Sequence, residues 1–330
     1  MTLRSFPALV AALMLGAPLL GPVPASAQEA SVAAASAETV TIPFAPPLLT
    51  PVTYAMRFER KRPGGDTAID FDQRLTFERL DSGYLLRIET LSMTSGGRRF
   101  DLADKRLLDA LPAAIRLYLL PMAIELDASG EMVRMRDWPA MQAALRGMPE
   151  AAAKMSDQPM NEAALAAVRR FLDPIINASA EDAPAFMIRG WPTVLGYGGA
   201  EFDLGEAVAV DTEVTGGLLP VAVPATMESV LTRTAEGDLK LVQTGRFDPE
   251  AMRAAMLAIF ETMRQAAQAR GKAAEEDALQ AMEITDETEI TFDPLTGLPI
   301  TGRTARLTSV KTSAQSVVGG DIMTLRRIAP

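Results

Sequence analysis

What most constrains this chain is a two-residue alternation of apolar and polar side chains that sets in at Val52. Val52, Tyr54, Met56 and Phe58 share one face, while Thr53, Arg57 and Glu59 share the other. After "RPGGD" the pattern resumes, with Ile69, Phe71, Leu75 and Phe77 set against Asp70, Asp72, Arg74, Thr76 and Glu78. Successive side chains of a strand point to opposite sides, so this period predicts two strands of a hairpin. Asp81-Ser82-Gly83 then turns the chain into a third strand carrying Tyr84, Leu86 and Ile88 on its buried side. One wet side per strand predicts an antiparallel sheet.

The stretch "LDASGEMVRMRDW", Leu126 to Trp138, resembles a calcium loop at first sight. Such a loop needs glycine at its sixth position and a glutamate at its twelfth. Here glycine is fourth and the twelfth-position ligand is missing, so the reading is a turn between short strands at Met122 to Leu126 and Glu131 to Met135. Asp127 accepts from the backbone two residues on, and Gly130 takes positive φ. The device recurs as Asp293-Pro-Leu-Thr-Gly297 and as Ala235-Glu-Gly-Asp238. Repeated turns of one kind describe a β-meander.

Between the meanders lies a helical middle, about residues 137–188. Asp137 is placed to cap "WPAMQAALRG", with Gly147 ending it. "MNEAALAAVRRFLDP" puts Met160, Ala164, Val168 and Phe171 on one side and is expected to stop at Pro174. The strongest helix signal is "FDPEAMRAAMLAIFETMRQAAQARG", with Asp248 as N-cap, Pro249 at the first helical position and Phe247 stapling to Met252. Its core stripe is Met252, Met256, Ile259, Phe260 and Met263, and "KAAEEDALQAM" is expected to continue or reopen helix. Final strands are expected over Ile284 to Phe292, Ile300 to Val310 and Asp321 to Ile328. Runs of strands and runs of helices in this order predict an α+β fold, a curved antiparallel β-meander sheet covered on one face by helices, with a half-barrel as one form of it.

The amino terminus is read as a signal peptide over residues 1–27. Arg4 precedes an apolar run, and Ala25-Ser26-Ala27 supplies the small residues that a signal peptidase needs. Residues 28–46 read as a flexible Ala/Ser/Pro-rich tether, with order beginning near Pro43, and residues 47–330 as a single domain. Export with no cysteine points to a periplasmic or secreted bacterial protein. No later segment reaches membrane-spanning length. A formal net charge of −10 disfavours nucleic acid as a partner.

Chemistry is narrowed further by what is missing. Without histidine or cysteine the chain lacks the commonest general base, the commonest zinc ligand and any thiolate, so no metal and no cofactor is expected. Leu80-Asp-Ser-Gly83 holds one aspartic-protease triplet, but the second is absent and the triplet falls on a turn. Glu275-Glu276-Asp277 on a helix would point in different directions. "GWPTVLGYGGAEFDLGE", Gly190 to Glu206, reads as a glycine-rich connection pinned to the sheet by Trp191 and Tyr197, with a ligand mouth as the competing account. Methionine adapts to varied apolar ligands, and Met252, Met256 and Met263 are candidates to line a groove with Met132, Met135 and Met141.

The lead-in "PFAPPLLTPVTY", the one-face-wet strands and the turn "FDPLTG" resemble several families of uncharacterised bacterial secreted proteins. In architecture the chain is similar to periplasmic lipoprotein-localisation carriers, and that resemblance implies a half-open barrel with a helical lid holding acyl chains. It carries over no functional residue. The resulting expectation is a non-enzymatic exported protein that binds an apolar or amphipathic ligand, or an envelope partner, between the sheet and the helix starting at Asp248. Met252, Met256, Phe260, Met263, Trp191 and Tyr197 are the candidate contacts. The alternatives are an envelope-assembly protein without a small ligand and a carboxylate-dependent hydrolase.

Overall fold

The computed structural model describes residues 38–62, 65–104, 106, 108, 121–155, 162–188, 190–216, 219–255, 257–258, 279–312 and 316–328. The strands are β1 (Thr39–Thr41), β2 (Val52–Lys61), β3 (Thr67–Leu80), β4 (Gly83–Ser95), β5 (Arg98–Asp101), β6 (Met122–Leu126), β7 (Met132–Met135), β8 (Glu201–Asp203), β9 (Ala207–Gly216), β10 (Leu219–Arg233), β11 (Leu239–Phe247), β12 (Leu279–Phe292), β13 (Pro299–Thr312) and β14 (Ser316–Ile328). The main sheet runs β7-β6-β4-β3-β2-β14-β13-β12-β11-β10-β9, with β5 paired to β4, and each of its named strand pairings is antiparallel. It does not close on itself. Joining β14 to β2 brings the first and last meanders into one sheet.

Alternation dictates what each face does. On one face, called inner here, Met93, Phe71, Met56, Leu325, Gly302, Ile290, Leu241 and Leu231 lie side by side across eight strands. Most of them belong to the main hydrophobic cluster. The opposite face carries cross-strand ion pairs such as Arg57 with Asp70, Arg87 with Glu78 and Lys240 with Glu289. Exposed pairs of this kind contribute about 0.2–1 kcal/mol each, so register is set by the buried face.

Helices α1 (Trp138–Arg146), α2 (Met148–Met155), α3 (Glu162–Ile176), α4 (Ala183–Met187) and α5 (Trp191–Leu195) form the helical middle. Trp138, Met141, Leu145, Leu172, Ile176 and Trp191 join the main cluster. The carboxyl end of α3 leaves carbonyls without helical partners. Gln142 Nε2 donates to the Ile176 carbonyl at 2.8 Å and Trp138 Nε1 to the Ala178 carbonyl at 2.8 Å, which fixes α1 against α3.

Several expectations need correction. Asp137 stands at the N-cap of α1 without a side-chain capping bond, while Gly147 ends that helix as expected, with φ of −83°, and leads directly into α2. Pro174 does not stop α3 but sits inside its last turn. A proline there forfeits a single backbone bond, which the burial of Ile176 offsets. The expected stripe of Met160, Ala164, Val168 and Phe171 falls outside the described side chains. Residues 279–282, expected as helix, open β12 instead, because β13 offers them partners from Val310 to Thr312. Of the helix after Asp248, residues 249–255 are described as helical, with Asp248 Oδ1 accepting from the Ala251 amide at 2.7 Å. Met256, Ile259, Phe260 and Met263 lie outside the described residues.

Order begins before Pro43. Thr39–Thr41 pairs with Glu201–Asp203, and Ile42 is completely buried. Residues 38–50 form a strap across one end of the sheet. The Phe44 ring stands edge-on to Tyr84 at 5.3 Å and to Phe77 at 6.1 Å, and Tyr84 donates its hydroxyl to the Phe44 carbonyl at 3.3 Å. The strap passes so close to the turn at Gly297 that a Cβ there would lie 1.6 Å from the Pro43 carbonyl oxygen.

Candidate functional site

The two stretches that most resembled sites are structural. Asp127 Oδ1 accepts from the Ser129 amide at 2.8 Å, the Ser129 hydroxyl at 2.6 Å and the Glu131 amide at 3.0 Å, and Gly130 has φ of +89°. That is a turn closed through one carboxylate oxygen of its aspartate. The run from Gly190 to Glu206 is not one loop, since it contains α5 and β8. Gly190 takes φ of +79° and brings α5 so near β14 that a Cβ would sit 1.9 Å from Met323 Sδ. Trp191 stands edge-on to Tyr54 at 5.0 Å, and Tyr197 packs against Phe292 at 6.0 Å. Tyr197 also donates to Gln243 Oε1 at 3.2 Å, and Gln243 Nε2 donates on to Ser229 Oγ at 2.9 Å. Burial, with Asp286 nearby, pushes the Tyr197 hydroxyl above its ordinary value.

Next to the apolar row on the inner face, register sets a polar one: Phe58, Met323, Thr304, Thr288, Gln243 and Ser229. Thr304, Thr288 and Ser229 are buried, and among the described residues Thr304 Oγ1 has no hydrogen-bond partner. One step further along the strands the row becomes charged: Arg60, Asp321, Arg306 and Asp286, followed by Gly245 and Met227. Arg60 Nε reaches Asp321 Oδ1 at 2.6 Å and its Nη2 reaches Oδ2 at 3.2 Å, while Arg306 spends Nε and Nη2 on Asp286. Four adjacent strands thus present charges of alternating sign.

Beyond this ladder the inner face turns apolar again. Val223, Met252 and Ala255 form a second, smaller cluster, with Phe247, Ala251 and Ile284 packed on it. Exposure along the face is therefore uneven. Met56 and Leu325 on one side and Val223 and Ala255 on the other are sealed, but the ladder side chains keep 19% (Arg60), 32% (Asp321), 25% (Arg306) and 12% (Asp286) of their surface. Solvent reaches this charged row, called the slot here, which lies between two dry clusters on the same side of the sheet.

The candidate contacts divide around this slot. Trp191 and Tyr197 belong to the main cluster, as do Met135 and Met141, whereas Met252 belongs to the small one. Of the methionines expected to share a groove, the polar and charged rows separate Met252 from Met135 and Met141. Met256, Phe260 and Met263 lie outside the described residues. Sequence reasoning missed Arg60, Asp321, Arg306 and Asp286. Their signal is a charge at an inward position of the alternation on four strands, legible only once register aligns those strands. Among the described residues no group of three or more acidic side chains is placed to hold a metal ion, and no helix is long and apolar enough to cross a membrane.

No protein-family model and no curated protein matches the chain. Among solved structures it is similar to lipovitellin, described for its lipid–protein interactions, at 7% identity and a TM-score of 0.36 over 84% of this chain. It spans only 25% of the lipovitellin chain. Rv2717c from M. tuberculosis matches at 6% identity and a TM-score of 0.21, over 84% of this chain and 91% of that one. A protein of unknown function from Nostoc punctiforme, of the DUF3598 family, matches at 10% identity and a TM-score of 0.10, over 84% of this chain and 95% of its own.

Proposed function

We propose that this is an exported bacterial protein, periplasmic or secreted, that binds an amphipathic ligand on the inner face of a half-open sheet, beside the helix starting at Asp248. One observation carries the reading. A row of mostly covered but solvent-reached charges lies between two apolar clusters on one sheet face, so polar and apolar contacts are available within a few strand residues. Burying an ion pair costs several kcal/mol per ion in desolvation, about as much as the attraction returns, and leaving it open to solvent on the core side makes room for a polar group. The ligand's apolar part would lie toward Met227, Phe247 and Met252, and its polar part on the ladder.

Native mass spectrometry of protein purified from its own compartment tests this. A co-purifying mass that is lost on organic extraction, together with uptake of a fluorescent lipid probe, is the expected result. Protein that carries nothing and takes up no probe would remove the reading.

A second reading, envelope assembly through a protein partner, is favoured by β9. This ten-residue edge strand contains no proline or lysine, and among the described residues it pairs only with β10. Such an edge is a template for another chain's strand. Loss of a co-purifying partner on placing proline in β9 would support it, and a monomer unaffected by that change would not. For the carboxylate-hydrolase reading no supporting pair arises at the slot, where Asp286 meets Arg306 rather than a second acid.

A further inference from the structure

We infer that the slot selects a zwitterionic head group, one cation and one anion a few bonds apart, over an anionic head of similar size; this rests on the ligand-binding reading above. Along the row the sequence is Arg60, Asp321, Arg306, Asp286, one residue on each of four neighbouring strands. Neighbouring strands lie about 4.8 Å apart, so the signs alternate at that spacing. The two inner members each turn to an outer partner: Asp321 takes both bonds from Arg60, and Arg306 gives both of its own to Asp286.

Between those pairs lies a junction at which Asp321 and Arg306 are register partners on neighbouring strands, with 32% and 25% of their side-chain surface open. A head group carrying both signs can lay its cation on Asp321 and its anion on Arg306 without stripping either from its partner. An anion alone gains Arg306 but is held beside Asp321 and Asp286, in a chain whose formal net charge is already −10. Low local dielectric sharpens that difference. Thr304, two residues before Arg306 on the same face of β13, adds a buried hydroxyl that has no partner among the described residues. A hydroxyl can donate to a phosphate oxygen.

The test uses the full chain with three fluorescent lipids that share one acyl composition, a phosphocholine, a phosphoglycerol and a trimethylammonium-propane head. Uptake of the phosphocholine lipid at least tenfold tighter than either of the others is expected. In Asp321→Asn, which frees Arg60 and leaves a neutral group at the junction, the phosphoglycerol lipid should gain and the gap should narrow several-fold. Equal uptake of all three heads, or preference for the anionic or the cationic one, overturns the inference while leaving ligand binding in place. Uptake of none overturns both. If Asp321→Asn does not fold, the wild-type ranking decides alone.

Discussion

Trp191 donates its indole N–H to Gln73 Oε1 at 2.8 Å, and Gln73 Nε2 donates in turn to Thr90 Oγ1 at 3.1 Å. A short helix is thereby bolted to the inner face of the first meander through an amide that points into the core. Gln73→Leu removes the acceptor and leaves the buried indole N–H unsatisfied, at an expected cost of about 1–3 kcal/mol. Trp191→Phe loses ring area as well as the bond. Combining Gln73→Leu with Trp191→Phe should cost clearly less than the two separate losses, since each removes the other's unmet partner. Urea titrations of the four proteins measure this; strict additivity would show that the bond is not made.

The strap makes its own prediction. At Gly297, φ is +67° and a Cβ would collide with the Pro43 carbonyl, whereas at Gly205, φ is +81° with nothing within 4 Å. Both Gly→Ala changes pay the left-handed penalty of about 1–2 kcal/mol. Gly297→Ala must in addition displace residues 42–45. It should lower Tm further than Gly205→Ala and expose residues 38–50 to limited proteolysis, while Gly205→Ala leaves the cleavage pattern unchanged.

Asp293 gives a pH dependence. Burial by itself would raise its carboxyl, but the Leu295 and Thr296 amides and the Arg327 guanidinium outweigh it and hold the group below the usual carboxylate range. A carboxyl depressed in the folded state contributes stability that is present above its unfolded value, about 3.9, and is lost as pH falls through the folded one. Asp293→Asn keeps an oxygen for the two amides but has no proton to take up. Denaturation midpoints measured from pH 5 downward should fall more steeply for the wild type than for Asp293→Asn. Parallel curves would mean that the carboxylate is not stabilised in the turn.

How much of this was legible depended on how local the cause is. The turns at Asp127 and Asp293 are closed by side-chain bonds that span at most four residues, and both are plain in the sequence. The alternation from Tyr54 to Phe58 likewise announces a strand, whatever it pairs with. Register is another matter. That Leu325 stands beside Met56, or that Asp286 faces Arg306, depends on pairings between segments far apart in the chain, and no residue declares them alone. The strap's first residues, before Pro43, escaped for the same reason: "TIPFAPP" has no period of its own, and Ile42 is held by a distant segment, with Ala200 accepting its amide and Gly199 donating to its carbonyl. Pro174 shows the converse, a local rule overridden by the burial of Ile176 two residues on.

The ladder separates stability from function. Removing one member of the Asp286 and Arg306 pair strands the other on a largely covered face, so Asp286→Leu or Arg306→Met alone should cost about 1–3 kcal/mol, less than for a fully buried pair because 12% and 25% of these side chains still meet solvent. Making both changes removes the charges together and puts apolar volume beside Met227 and Thr304, and stability should return to within about 1 kcal/mol of the wild type. A structural role would end there. If the row holds a polar head, the stable double variant should nevertheless bind the phosphocholine lipid at least tenfold more weakly and no longer distinguish it from the phosphoglycerol one. Calorimetry and probe titration on the same preparations give both readings, and a double variant that is stable and still discriminates between heads would reduce the ladder to a strut.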